Sequence, residues 1–258
     1  KVTLSSPTYA SSKSKRIVAT PVSAGNDTLL VKNADGLILR RLPFTLNAPR
    51  PGIDQPIEIS TVAQLKALRD GVNSGKEFSW ASPAVTIPAG AAGYEFILKA
   101  DLNLSSEMEY RDTDVRGWTP IGKANDTPFK GRFLGNGHKI ENMWQAVGSG
   151  QTATVSQNGL FGVLSEASVH DLKVHVLSLI IDENAMDKLE NVGAIAGKAM
   201  NGSYIGNCES YGIVQGGRGV AGIVGYVVDN VRIVNCRNAA DVRGKSRVGG
   251  IAGRVYAS

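Results

Sequence analysis

Apolar residues in the second half of the chain come in short bursts that return at a fixed interval. Val192-Gly-Ala-Ile-Ala-Gly197, Val220-Ala-Gly-Ile-Val-Gly225 and Val248-Gly-Gly-Ile-Ala-Gly253 begin 28 residues apart each time. Aligning residues 192–219 on 220–247 gives eight identities: Val192/Val220, Ile195/Ile223, Gly197/Gly225, Ile205/Ile233, Asn207/Asn235, Cys208/Cys236, Val214/Val242 and Gly216/Gly244. Average residue usage would give about two by chance. A looser copy, Asn158-Gly-Leu-Phe-Gly162, precedes Gly197 by 35 residues, so seven extra residues are expected to loop out around Asp182–Lys188.

Each unit holds three segments rich in β-branched residues, in the clearest copy Val220–Val228, Val231–Cys236 and Ala240–Val242, parted by Gly, Asn or Asp. This strand, turn, strand, turn, strand pattern has too little helical periodicity for a helical solenoid. It predicts an all-β fold, a right-handed parallel β-helix with three strands and about 28 residues per coil. Val192, Val220 and Val248, Ile195, Ile223 and Ile251, and Gly197, Gly225 and Gly253 then stack as ladders, rung on rung about 4.8 Å apart. Asn207 with Asn235 and Cys208 with Cys236 form two further ladders. A single coil cannot bury its own inward face, so stacking is obligatory.

Upstream, Pro56–Ser60 reads as a short strand and Thr61–Val72 as an amphipathic helix. Val62, Leu65, Leu68 and Val72 share one face, Ser60 or Thr61 can cap the start, and Gln64 stands three residues after Thr61. A helix at about 61–73 suits the open end of a solenoid, whose unpaired backbone otherwise invites edge association. Residues 1–52 lie outside this plan. Thr28–Lys32 and Leu37–Leu42 around Asn33-Ala-Asp-Gly36 read as a hairpin, followed by a proline-rich link. The organisation expected is an N-terminal β segment over 1–52 and a solenoid with its cap over 53–258.

Composition narrows the function. The 30 glycines are abundant for 258 residues and are concentrated after Gly131, which implies many tight corners. The net charge is +5, but the 28 Lys and Arg are scattered among 23 Asp and Glu, and no basic run is longer than Lys13-Ser-Lys-Arg16. A nucleic-acid partner is therefore not expected. Nor is a membrane-spanning helix, since no apolar run approaches the roughly 18 residues that one requires. With no leader before Lys1, a secreted chain would have had its signal peptide removed. Two cysteines are too few for a disulfide framework and lack zinc spacing. Free stacked thiols are expected, although a rung spacing near 4.8 Å also permits a disulfide.

Sites of chemistry are sparse. His138 sits in a Gly-Asn-Gly-His turn, and His170 and His175, five apart on one strand-like stretch, would face opposite ways. No HExxH, GxSxG or GxxxxGK[ST] occurs. Gly216-Gly-Arg-Gly219 reads as a coil corner. Glu107, Glu109, Arg111, Asp112, Asp114 and Arg116 crowd one loop, where Glu107, Glu109, Asp112 and Asp114 are a weak calcium candidate; no other metal, no cofactor and no catalytic residue are expected. Aromatic residues offer a binding reading: Trp118, Trp144, Tyr204 and Tyr226 lead, with Tyr110, Tyr211 and Tyr256 behind.

Tyr94–Leu104, Trp118-Thr-Pro-Ile-Gly122, Phe129-Lys-Gly-Arg-Phe-Leu-Gly-Asn-Gly-His-Lys-Ile140, Gly159-Leu-Phe-Gly162 and the Val-x-x-Ile-x-Gly copies follow the capping helix in order. Together they resemble the GLUG-repeat proteins, secreted proteins of Bacteroidetes and Firmicutes whose repeats also occur in IgA-specific metallopeptidases. The resemblance runs from about Ile57 to the end, and Leu134 departs from the aspartate that the pattern prefers. It implies a non-catalytic, adhesin-like scaffold, secreted or displayed on a bacterial surface, in contact with a glycan or host protein and forming part of a larger chain. Alternatives are a carbohydrate-active enzyme on a β-helix or a spacer in a multidomain protein.

Overall fold

In the repeat region each apolar position stacks on its equivalent one repeat away, and this pairing organises the larger part of the molecule. The computed structural model describes residues 2–4, 19–21, 25–32, 38–46, 50–106, 110–112, 115–147, 153–178 and 183–256. They are mostly β and divide into two units, Lys1–Gln55 and Pro56–Ser258.

The first unit is built from antiparallel pairs. Val2–Leu4 pairs with Ala19–Pro21, and Gly25–Lys32 pairs with Ile38–Leu46 in a ribbon longer than its apolar pattern suggests. Pro43, opposite Thr28, is tolerated because each strand of a two-stranded ribbon has a free edge, where a missing N–H need cost nothing. The unit ends in a turn closed by Arg50, whose Nε and Nη2 donate to the Asp54 carboxylate at 2.9 and 3.0 Å. The Arg50 side chain and backbone N–H together bring that carboxyl down to about 2.

In the second unit, beside an antiparallel pair of Phe78–Ala81 with Ala84–Ile87, the strands fall into three sheets that are largely parallel, and from Phe161 onward the chain visits them in turn. The first consists of Ile57–Ile59, Glu95–Leu98, Arg132–Leu134, Ser168–His170, Tyr204–Gly206 and Arg232–Val234, each parallel to the next. The second holds Phe161–Ser165, Ala196–Met200, Val224–Val228 and Ala252–Tyr256, again parallel. The third is broader, with Leu102–Asn103, Lys139–Val147, Lys173–Ser178, Glu209–Ala221 and Arg237–Gly249 as its parallel spine. Val155–Asn158 and Leu189–Gly193 extend it beside the second half of Glu209–Ala221.

The register equals the sequence repeat. Val192 pairs with Val220 and Val220 with Val248, Ile205 with Ile233, and Val214 with Val242, all 28 residues apart. Phe161 faces Ala196 at 35, and a short 3-10 helix over Glu183–Lys188 takes up much of the additional chain. Two local boundaries differ from the pattern read in the sequence. The break after Val220 falls at Gly222–Ile223, and the third segment is a 13-residue strand, Arg237–Gly249, instead of Ala240–Val242. Gly216–Gly219 is the larger correction: it is no corner but lies inside Glu209–Ala221, with Gly216 opposite Gly244 and Arg218 opposite both Glu190 and Ser246. Pairing on both sides overrides the local preference of glycine for turns.

The inward faces of the three sheets form one core. Val192, Ile195, Ile205, Val220 and Ile223 are inaccessible, and Phe96, Phe129, Phe133 and Phe161 continue the core toward the helix. Ring centroids of Phe129 and Phe161 lie 5.1 Å apart, and those of Phe133 and Phe161 5.4 Å apart, nearly edge to face. Each such side chain contributes about 1.5–3 kcal/mol of transfer free energy. The glycine that ends each Val-x-x-Ile-x-Gly copy is explained by close approach. A Cβ on Gly197 would sit 2.4 Å from the Asn158 nitrogen, on Gly225 2.3 Å from that of Val192, and on Gly253 2.6 Å from that of Val220.

The helix spans Val62–Asn73, and Thr61 is its cap: Gln64 N–H donates to Thr61 Oγ1, while Gln64 Oε1 accepts from the Thr61 N–H. Leu65, Leu68 and Val72 are buried. Asn73 secures the C-terminal end, donating to the Pro120 carbonyl at 2.9 Å and accepting from the Gly122 N–H at 2.8 Å.

Candidate functional site

Alternation along a strand puts every second side chain outside. In the second sheet Ala199 and Val227 point inward and are buried, so Lys198 and Tyr226, one residue before them, point out. Parallel pairing places Lys198, Tyr226 and Arg254 at the same level on three consecutive strands. Cations from the strands on both sides lie over the tyrosine ring, the Lys198 Nζ at 5.6 Å and the Arg254 guanidinium carbon at 4.4 Å from its centroid. Such contacts are worth about 0.5–1 kcal/mol at exposed sites. The ring therefore orders the two cations into a row.

The row joins two clefts. At one end Lys198 Nζ donates to Asn125 Oδ1 at 3.0 Å, and Asn125 lines a cleft of about 310 Å³ with Asp126, Thr127, Lys130, Ser165 and Asn201. Asn201 Nδ2 donates to Ser165 Oγ at 2.9 Å, whereas the Thr127 hydroxyl is buried without a hydrogen-bond partner. At the other end Arg254 lines a cleft of about 320 Å³ with Arg247, Val255 and Tyr256, whose ring is 59% exposed. Among the described residues, Lys130, Lys198, Arg247 and Arg254 have no carboxylate partner, whereas Arg237 is paired with Glu209, Arg243 with Asp241 and Lys245 with Asp187.

The four leading aromatic candidates do not converge on one site. Trp118 is 1% exposed, donates from Nε1 to the Leu160 carbonyl at 3.0 Å and lies beneath the Arg69 guanidinium, so it is core and not a contact residue. Trp144 is half-buried on Lys139–Val147. Tyr204 stacks on His170 in the first sheet, centroids 4.8 Å apart. Tyr226 alone of the four belongs to the row, and its neighbours Lys198, Arg247 and Arg254 carry no aromatic signal that would single them out. The signal that does so is the 28-residue offset, which sets Lys198, Tyr226 and Arg254 in register.

Elsewhere the polar groups serve the turns. Asp171, Asn207 and Asn235 all adopt left-handed backbone, with φ of 52°, 53° and 51°, a conformation that Asn and Asp tolerate better than most side chains. Asn207 Nδ2 donates to Asp171 Oδ1 at 2.9 Å. His138 meets Asp101 at 3.1 Å, and the Lys139 N–H, followed by His138, holds that carboxyl below its usual range. His170 and His175 lie on strands of different sheets, so the single strand expected for them is corrected. Burial, followed by the nearby Arg132, pushes the His170 imidazole down.

Cys208 and Cys236 are free thiols on adjacent rungs. Cys208 is buried; its hydrogen bond to Cys236, then its burial, push its pKa up, while the same bond brings the half-buried Cys236 down to about 7. Of the proposed calcium ligands, Glu107, Glu109 and Asp114 lie outside the described residues. Asp112 ends a short strand, Tyr110–Asp112, antiparallel to Val115–Gly117, so this segment includes a hairpin where one loop was expected. Among the described residues no group of three or more His, Cys, Asp or Glu side chains could hold a metal ion, and no helix is long and apolar enough to cross a membrane.

Comparison with known proteins gives no matching family model and no matching curated protein. A solved structure from Bacteroides ovatus, named as a proposed immunoglobulin A1 protease, is similar at 20% identity and a TM-score of 0.49 over 78% of this chain. The chain spans 62% of that protein's length.

Proposed function

We propose that residues 56–258 form a right-handed parallel β-helix of the GLUG-repeat kind. In this reading the protein is a non-catalytic scaffold, secreted or displayed at a bacterial surface, that engages a glycan or a host protein through its side. The observation that carries this reading is the 28-residue register: it stacks equivalent residues through three sheets in rotation and, on the outside, turns single side chains into rows. A row such as Lys198, Tyr226 and Arg254 is fixed by pairing along its whole length, the kind of rigid, extended surface by which repeat proteins bind. Paired backbone costs little further ordering when a ligand arrives.

The test is an array of glycans and extracellular-matrix proteins probed with the purified chain, coupled to assays for cleavage of whatever binds. Saturable binding with the ligand recovered intact is the expected result. A blank array, or release of shortened products, would overturn the reading.

A further inference from the structure

We infer that the row Lys198–Tyr226–Arg254 and its two clefts form a track for an acidic polysaccharide, one bearing carboxylate or sulfate groups. The inference rests on reading this face as a binding surface and names the ligand class. Four cations without carboxylate partners among the described residues gather along it, whereas Arg237, Arg243 and Lys245 on the neighbouring sheet are paired with Glu209, Asp241 and Asp187. With cations drawn over it from both adjacent strands, the Tyr226 ring is not a free platform for a neutral sugar. What the row offers is aligned positive charge, and guanidinium groups bind planar oxyanions in bidentate fashion.

The clefts set polarity. Arg247 and Arg254 make one end the seat for the anionic group, with exposed Tyr256 beside it as a stacking surface. At the other end Asp126 offsets the charge of Lys130, and Asn125 and Asn201 present donors and acceptors for sugar hydroxyls. Three strands at about 4.8 Å spacing give the row a length of about 10 Å before the clefts are added, which suits several units of a linear polymer. An acidic peptide is a poorer fit. Extended peptides gain affinity by pairing along a free strand edge, whereas the row runs across the strands of the sheet and meets the free edge of Ala252–Tyr256 only at the Arg254 end.

The full chain is titrated with polygalacturonate, heparin, neutral dextran and polyglutamate at low and moderate salt. Binding to polygalacturonate or heparin, weakened by salt, is expected, and which of the two binds more tightly identifies carboxylate or sulfate as the anion. The double variant Lys198→Ala/Arg254→Ala should weaken binding about 10-fold or more, whereas Lys173→Ala/Arg232→Ala, which removes the same charge from other sheets, should change it less than about 2-fold. Tyr226→Leu should cost about 2- to 5-fold by releasing the cations, and Tyr226→Phe almost nothing. Unchanged melting temperatures show that each variant is folded.

Equal weakening by both double variants overturns the track, and polyglutamate or dextran binding as tightly as the acidic glycans overturns the ligand class. Shortening of the polymer would refute the non-catalytic scaffold while leaving the track intact. Protein binding that depends on Lys198 and Arg254, without glycan binding, would keep the lateral face and refute the glycan.

Discussion

Two rungs of the same repeat, one enclosed and one outermost, carry the same Val, Ile and Cys ladder residues in different surroundings. Val220 and Ile223 are inaccessible, whereas Val248, the equivalent of Val220, is 45% exposed and Ile251 is half-buried. Cys208 is buried and Cys236 half-buried. Outward from the core, Val234, Val255 and Tyr256 are likewise exposed on the outermost rung. The residues compared are identical between these rungs, so the difference comes from the neighbour: burial in a stacked repeat is conferred by the next rung. At the opposite limit Phe96 has such a neighbour in Trp80, whose ring packs edge-on against it with centroids 5.7 Å apart, and Ile57 and Phe96 are both fully buried.

The sharpest way to break this comparison is to make the same deletion in both rungs. Ile223→Ala should cost about 2–5 kcal/mol, since enclosed neighbours cannot collapse into the cavity, and Ile251→Ala about 1 kcal/mol or less. Urea denaturation of both variants measures the difference. Equal losses would mean that the outermost rung is as well packed as the inner one and that burial does not depend on the neighbour.

The thiols sharpen the same contrast chemically. The neighbouring Cys208 thiol brings the pKa of Cys236 down, so Cys236 is the more readily ionised and the more reactive of the two. Cys208, held protonated and buried, should be silent. Alkylation with iodoacetamide followed by peptide mapping should label Cys236 at least about 10-fold faster, with a rate that rises at a lower pH than that of an ordinary thiol. A half-maximum near the ordinary thiol value, or comparable labelling of Cys208, would show that the two rungs do not differ in this way.

The spacing of these rungs is legible in the sequence because stacking forces like residues into like places: Val192, Val220 and Val248 announce the register by their interval alone. The capping helix is legible for a local reason, the reciprocal bonds of Thr61 and Gln64. Gly216–Gly219 reads wrongly as a corner because its strand is imposed from outside, by Leu189–Gly193 on one side and Arg237–Gly249 on the other. Trp118 reads wrongly as a contact residue because its composition cue is the same for a binding ring and a core ring, and the Leu160 carbonyl that satisfies its N–H lies 42 residues away. The candidate row is half legible, through Tyr226. Its cations become meaningful only once pairing has put them over the ring.

The smallest effect expected is at the ion pair that links the two rungs on the third sheet. Arg237 donates to Glu209 at 2.6 Å, but its side chain is 74% exposed, and water and salt screen such a pair. The Tyr211 hydroxyl is the largest influence holding the Glu209 carboxyl below its usual value, ahead of Arg237, and it remains when Arg237 is removed. A carboxyl whose pKa is lowered by folding contributes stability above its unfolded value and loses it as the pH falls through the folded one. Arg237→Ala should therefore cost less than about 1 kcal/mol near neutral pH and leave most of the acid dependence contributed by Glu209 in place. Denaturation at pH 7 and at successively lower pH tests both parts. A loss above about 2 kcal/mol would mean that this surface pair, and not the apolar ladder beneath it, joins the outermost rung to the one before it.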